Sequence, residues 1–477
     1  MRLEHGIEPA GINGGNGNAR PGAALLERLA EIDRDPDDGP SWFARRPWGI
    51  FLAAIYPILA LTPLAILAAL KPESDHPRLA EVGVDCAVVG FTMIALQFVI
   101  TARLHWIEAP FGLDLLLVFH RATALIAVTL LCLHPLLVAS AEGWSLITRV
   151  HVHWCIWAGR AALAILLVQV IISLWRRALR LPYTQWRRLH NVFALALLGL
   201  GFAHALAVGL EPIGATIVWS VVIAVAAGCW LFSRAIRPRL LLRRGFRVVV
   251  LKEEAPRVWT VVLESQPGRP LRFVPGQFQF LRLHGAELPA EEHPFTIASS
   301  PTRSGRISLT IKESGTFTAL IDRTRPGDRA TVHGPFGRFS HTLHPDDEDL
   351  VFVAGGVGIT PLMSMLRYMR DRQEPRSVLL IYASRRPLDV VFAGELREIA
   401  AGAFPLLTVV HVFSDAPPGW PGETGRLDAE RLARLCDGVD GKAFYLCCPG
   451  PMTTVLVRGL RRMGVSPRRI HTDHFAL

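Results

Sequence analysis

The 477-residue chain has seven cysteines but no C-x-x-C pair, so neither zinc-thiolate ligation nor a disulfide framework is supported. Four of them, Cys86, Cys132, Cys155 and Cys229, sit in apolar runs, and reduced thiols are expected. Charge is scarce as well. Asp, Glu, Lys and Arg make up 19% of residues against 51% hydrophobic, and the mean hydropathy of +0.32 is too apolar for an ordinary soluble enzyme of this length. No D-x-D-x-D-G loop occurs, so calcium control of the EF-hand kind is not indicated. The net charge of +10 would suit nucleic acid, but no basic patch is interleaved with aromatics. The arginines crowd the ends of apolar runs instead, which points to lipid rather than nucleic acid as the partner.

The apolarity is uneven. Residues 1–46 carry Gly, Asn, Asp and Pro and read as a largely disordered tail, with one short amphipathic stretch around Leu25–Ile32. Residues 47–236 contain six runs long enough to cross a bilayer, at 48–70, 82–102, 113–139, 154–175, 189–210 and 214–233. The first run follows Arg45 and Arg46 directly and is too long for a cleavable signal, so it should remain as an anchor. An even number of spans returns both termini to one side. Arg45, Arg46, Arg103, Arg187, Arg188 and Arg234 flank that side, whereas Lys71, Arg78 and Arg149 flank the other, which makes the terminal side cytoplasmic.

Two of these runs hold histidines at the same spacing: His120 with His134, and His190 with His204, each pair 14 residues apart. At about 100° and 1.5 Å per residue, that interval returns to nearly the same helix face about 21 Å further along. A single membrane histidine is adequately explained by a hydrogen bond to a neighbouring helix. Four in register are not. Spans three and five run in the same direction, so His120 pairs with His190 near the cytoplasmic face and His134 with His204 near the outer face. Each pair would clamp one b-type heme, because neutral imidazole is a natural axial ligand to iron. Arg121 and Arg160 also lie within spans and would suit heme propionates, although snorkelling toward the interface accounts equally for Arg121. His151 and His153 lie in the outer loop, where approach to an external substrate is one reading and plain solvation, usual for loop histidines, the other.

After residue 243 the pattern is that of a soluble protein. Residues 243–345 contain short alternating strands (FRVVVL, WTVVLE, FQFLRL, RISLTI) broken by Pro and Gly, as in a small antiparallel β-barrel. Residues 346–477 alternate apolar strands (LVFVAGG, VLLIYAS, LLTVVHVF, AFYLCC) with helical stretches, the pattern of a parallel α/β sheet covered on both faces. The expected fold is therefore a multi-domain membrane protein, a six-helix transmembrane bundle joined to a β-barrel and an α/β nucleotide-binding domain. GGVGITP follows a buried strand and opens a helix, so its backbone N–H groups can meet a dinucleotide phosphate.

The stretch His293-Pro294-Phe295-Thr296-Ile297-Ala298-Ser299 resembles the flavin-binding segment of NADPH oxidases and ferric reductases. The likeness continues through Gly315 to Thr318 (GTFT), Gly334 to Gly337 (GPFG), Gly355 to Pro361 (GGVGITP), Cys447 to Met452 (CCPGPM) and Phe475, in the order of the ferredoxin-NADP reductase-like flavoproteins. The histidine-bearing spans resemble the ferric reductase-like transmembrane domain. The resemblance implies an NAD(P)H-dependent oxidoreductase with FAD, two hemes b and NADPH. In it, His293, Pro294, Phe295, Thr296, Ser299, Gly315 and Thr318 would hold FAD. Gly355, Gly356, Gly358, Thr360 and Pro361 would hold the dinucleotide, with Ser384, Arg385 and Arg386 at its 2′-phosphate. That last pair of guanidinium groups favours NADPH, with NADH as the alternative. Cys447 would sit beside the nicotinamide, and Phe475 would cover the flavin, although Ala476 and Leu477 follow it. Cys448 departs from the family pattern, which has Gly there.

The implied reaction carries electrons from NADPH through FAD and two hemes to an acceptor outside. That acceptor is O2, giving superoxide, or a ferric chelate, with HPFT leaning toward the oxidases. A separate periplasmic protein is a further acceptor to test. A membrane transporter or redox sensor without heme, its histidines relaying protons, is the rival from another class. The expected location is a bacterial inner membrane with both termini cytoplasmic.

Overall fold

The computed structural model describes residues 42–473, apart from 71–76, 177, 209–212, 244, 286, 290 and 304. The expected disordered tail lies almost entirely outside the described residues, as does Phe475. Six helices are long and apolar enough to cross a membrane among the described residues. They are α1 (Trp42–Leu70), α2 (Arg78–Thr101), α4 (Leu113–Glu142), α5 (Trp154–Trp175), α6 (Tyr183–Val208) and α7 (Ile213–Leu231), with a short helix α3 (His105–Phe111) between α2 and α4. The sixth span does not stop where its apolar run does. It continues through a π-helical turn (Phe232–Ile236) into a further helical stretch, Arg237–Arg243.

Apolar side chains cover these helices on all sides, and Ile58, Val118, Leu174 and Ile213 are among many left exposed, as a lipid-facing surface requires. The interior interleaves alanines with larger apolar side chains. Ala60, Met93, Ala127, Ala162 and Leu197 form one buried cluster, and Phe91, Ala95, Leu198, Trp219 and Ala226 another.

The barrel domain contains β1 (Phe246–Ala255), β2 (Val258–Ser265), β3 (Phe278–Leu283), β4 (His293–Thr296), β5 (Arg306–Lys312) and β6 (Arg329–Phe336). They are ordered β4-β3-β6-β1-β2-β5 and pair antiparallel. A bridge between Ile297 and Leu309 brings the two edges together. Val261, Leu263, Leu281, Ile297, Leu309 and Ile321 fill the middle, fully buried.

The last domain is a parallel sheet of β7 (Asp349–Gly355), β8 (Ser377–Ser384), β9 (Leu406–Phe413), β10 (Glu423–Thr424), β11 (Ala443–Cys447) and β12 (Ile470–Asp473), ordered β10-β9-β8-β7-β11-β12. Helix α8 (Ile359–Arg372) follows β7 directly. The order reverses between β7 and β11, the place where open α/β sheets bind ligands beyond their strand ends. Separate apolar clusters back the two faces of this sheet, which explains why its strands read as continuous hydrophobic runs.

The membrane half meets the barrel through polar contacts at one end of the bundle. Arg103 follows α2, donates to Glu292 at 3.3 Å and lies 3.8 Å over the Phe280 ring. Within the membrane half at this end, Arg237 of the sixth span's continuation donates to the Ala102 carbonyl at 2.7 Å. Arg338 donates to the Pro110 carbonyl at the end of α3. This end of the bundle is called proximal below, and the opposite end distal.

Candidate functional site

The fold brings the four span histidines together as two facing pairs. The proximal pair, His120 of α4 and His190 of α6, has ring centroids 6.4 Å apart; the distal pair, His134 and His204, 6.3 Å. Two imidazoles on opposite sides of one metal ion are separated by two bonds of about 2 Å and by about 1 Å from each nitrogen to its ring centre, roughly 6 Å in all. Both gaps match. A direct hydrogen bond between the rings would need them closer.

Three of the four Nδ1 atoms are already engaged. His120 Nδ1 lies 2.6 Å from Gln97 Oε1, His134 Nδ1 3.0 Å from the Gly83 carbonyl and His204 Nδ1 2.8 Å from the Cys155 carbonyl. Carbonyl oxygens only accept, so each Nδ1 must carry the proton and donate it, which leaves the Nε2 lone pair free for a metal. The orientation of Gln97 is itself fixed, because its Nε2 donates to the Met93 carbonyl and to Thr123 Oγ1, both at 3.1 Å. His190 Nδ1 is buried and has no hydrogen-bond partner among the described residues. Gly159 of α5 is the seat of His204: a Cβ there would fall 2.8 Å from Nδ1 and 2.9 Å from Cε1. These residues fit a bis-imidazole heme at each level.

Arg121 is exposed next to His120. Arg160 donates to the Arg149 carbonyl at 2.9 Å and the Leu146 carbonyl at 2.7 Å, and lies 4.9 Å over the Trp157 ring. Those two bonds bind it to the distal loop and leave three of its five N–H donors for a propionate.

In the barrel, the two sequence motifs meet through their rings. His293 stacks on Phe317 of GTFT at 4.2 Å, and Phe295 lies 6.3 Å from the same ring. Pro294 lies between them in β4, opposite Phe280. Among the described residues, Thr296 Oγ1 is buried without a partner, and so are both side-chain polar atoms of Gln279, a residue fully enclosed in β3 opposite Phe295. Orphaned donors and acceptors of this kind call for a polar ligand, and they fit a flavin. Sequence reasoning missed Gln279, whose only signal was a polar residue inside FQFLRL. Thr318 Oγ1 accepts from the backbone N–H of Ser314 and Gly315 at 2.8 and 2.9 Å, which shapes the loop, and a Cβ on Gly315 would meet open space. Ser299 Oγ accepts from the Ser308 N–H, and its carbonyl accepts from Ser364 of α8, joining barrel to sheet.

In the α/β domain, Gly355 ends β7, Gly356 adopts φ +56° and Gly358 precedes α8. Gly358 is required by packing, since a Cβ would lie 2.0 Å from the Cys447 carbonyl oxygen. The glycine loop and the Cys447-Cys448-Pro449 loop are thus pressed together at the strand-order reversal. Thr360 and Pro361 are buried in the first turn of α8, with Thr360 Oγ1 donating to the Val357 carbonyl. Cys447 is fully enclosed, and burial pushes its thiol well above the usual range; burial raises Cys448 to about 12. Both are neutral thiols, not nucleophiles. Ser384 ends β8 with its hydroxyl unpartnered, Arg385 lies 3.5 Å from Asp415 and Arg386 3.6 Å from Asp389.

At the junction of the halves, burial alone would raise the Glu292 carboxyl, but the His333 imidazole 3.5 Å away and the charges of Arg103 and Arg237 outweigh it and hold the group at about 2. Glu292 is therefore ionised at any physiological pH.

Three domain families match the chain: "Ferric reductase like transmembrane component" over residues 86–201, "Oxidoreductase FAD-binding domain" over 254–341 and "Oxidoreductase NAD-binding domain" over 352–458. The first spans three of the four histidines and stops just before His204. The soluble half is similar to the ferredoxin reductase component of 3-ketosteroid-9-alpha-monooxygenase from Mycolicibacterium smegmatis, 34% identical over 209 residues. It is also similar to the glycine betaine monooxygenase reductase subunit of Pseudomonas aeruginosa, 30% identical over 212 residues. Each alignment takes in 43% of this chain and 56% of the relative, so the chain spans little more than half the length of these proteins. Among solved structures, a ferredoxin NADP+ reductase from Neisseria gonorrhoeae with bound FAD and NADP is 20% identical, with 48% of this chain and 97% of that one covered at a TM-score of 0.42.

Proposed function

We propose that this chain, an NAD(P)H-dependent oxidoreductase of ferric reductase-like, NADPH oxidase-type architecture, moves electrons from cytoplasmic NADPH across the membrane to an acceptor outside, with O2 as that acceptor and superoxide as the product. The observation that carries the reading is the pair of imidazole gaps, 6.4 and 6.3 Å, whose outer nitrogens are held by carbonyl oxygens wherever a partner is present. A transporter that relayed protons would need histidines free to turn. Three of these four are held by carbonyl oxygens, which supports ligation over relay.

When bound, the nicotinamide supplies a hydride, the flavin divides it into single electrons, and the hemes carry those electrons between the two membrane levels. The chain's own residues do the rest. His120 with His190 and His134 with His204 hold iron, while Gln97, Gly83 and Cys155 orient the rings. His293, Phe295 and Phe317 would present their rings to the flavin, and Gln279 and Thr296 would offer it hydrogen bonds. Arg385 and Arg386 meet the 2′-phosphate. Arg103 and Glu292 tie the barrel to the proximal end of the bundle. With the cell interior negative, outward movement is favoured by up to about 2.3 kcal/mol per electron per 100 mV.

Purified chain should show a b-type spectrum with two hemes per polypeptide that NADPH reduces anaerobically. Superoxide and ferrous iron formation, measured side by side, separate O2 from the ferric chelates that the matched transmembrane family suggests. Heme-free protein would reject the reading.

A further inference from the structure

The membrane half repeats one arrangement twice. In the first helix pair, α2 carries Gly83 and Gln97, 14 residues apart, against His134 and His120 of α4. In the second, α5 carries Cys155 and Gln169, again 14 apart, against His204 and His190 of α6. Each distal histidine donates to a backbone carbonyl of its neighbouring helix, and the proximal His120 donates to a glutamine side chain. One contact of the four is unmade. Among the described residues, His190 Nδ1 and Gln169 Oε1 are both buried without a hydrogen-bond partner, and both residues line the same small cavity with Ile172, Ser173, Trp186 and Phe193. A donor and an acceptor left orphaned around one cavity are each costly until they meet.

We propose that Gln169 is the positioning residue of His190, the counterpart of Gln97 for His120, so that both proximal imidazoles donate to glutamine amides and both distal ones to backbone carbonyls. The proposal rests on the heme reading above. An amide oxygen on Nδ1–H makes the ligand more basic and favours ferric iron, which lowers the potential of that heme. A glutamine side chain, unlike a backbone carbonyl, is open to substitution without moving the helix. The chain thereby sets its proximal heme from two side chains and its distal heme from main chain.

The test is redox potentiometry of the visible heme bands in the purified full-length chain, comparing Gln169→Leu, Gln97→Leu and Gln169→Glu with the parent. Gln169→Leu and Gln97→Leu should each raise the potential of the same single heme, up to a tenfold change in its reduction equilibrium, about 59 mV for one electron. Gln169→Glu, a stronger acceptor, should lower it. The other heme should not move. Unchanged potentials in both Gln169 variants beside a shift in Gln97→Leu would overturn the role of Gln169, as would a shift confined to the other heme. Should Gln169→Leu lose its pigment, the Glu variant decides by the same readout. Parent protein without heme bands would instead overturn the reading beneath, a result no potential shift can imitate.

Discussion

Replacing Gly159 with alanine adds one methyl group 2.8 to 3.0 Å from three atoms of the His204 ring. Ordinary carbon contacts lie at about 3.5–4.0 Å, so the ring must retreat by somewhat under 1 Å or the helices must part. Retreat strains the 2.8 Å bond from Nδ1 to the Cys155 carbonyl and alters the 6.3 Å gap to His134. Disturbing the outer partner of a metal-bound histidine typically costs 10–100-fold in affinity, about 1.4–2.7 kcal/mol. Helix propensity acts in the opposite direction, because Ala is better than Gly within a helix by about 1 kcal/mol. A loss of heme therefore cannot be charged to a weakened helix. Gly199→Ala is the matched control, since its added Cβ meets nothing within 4 Å. Heme content per polypeptide and the reduced-minus-oxidised spectrum should show the distal heme depleted in Gly159→Ala, the proximal one still reducible by NADPH, and Gly199→Ala unchanged. Full occupancy and unshifted bands in Gly159→Ala would refute the placement of iron between His134 and His204.

Glu292→Gln removes the charge that pairs with Arg103, leaving a largely buried guanidinium uncompensated at a cost on the order of 3 kcal/mol; stopped-flow spectra should show flavin reduction intact and heme reduction slowed. Because the carboxyl sits at about 2 in the folded chain and about 4.3 in an unfolded one, its contribution is complete above about pH 4.5 and is lost as pH falls toward 2. The difference in melting temperature between parent and Glu292→Gln should accordingly shrink over that window, and a constant difference would contradict it. Changing Arg385 and Arg386 together to alanine should raise KM for NADPH roughly tenfold or more with little effect on NADH; equal losses with both would remove the 2′-phosphate from the account. Gly358→Ala forces a methyl against the Cys447 carbonyl, backbone that cannot yield, and should lower the melting temperature of the soluble half and abolish NADPH-driven flavin reduction together.

The sequence alone determined the elements that depend on period and composition. The six spans were legible because a bilayer needs about 20 apolar residues in a row, and the histidines stood out because those spans contain little else that is polar. The parallel sheet was legible because its strands, covered on both faces, read as unbroken apolar runs. The pairing of the histidines followed from span direction, but tertiary structure alone decided what holds and orients them. That Gly83 and Cys155 lend their carbonyls to His134 and His204 is a main-chain fact with no residue signature, and Gly159 matters only because His204 turns toward it across the helix interface. Gln97, Gln169 and Gln279 carry no signal in the sequence beyond being polar residues in apolar segments. Their meaning comes from which buried atoms they meet or leave unmet, and long-range packing, not local pattern, sets that.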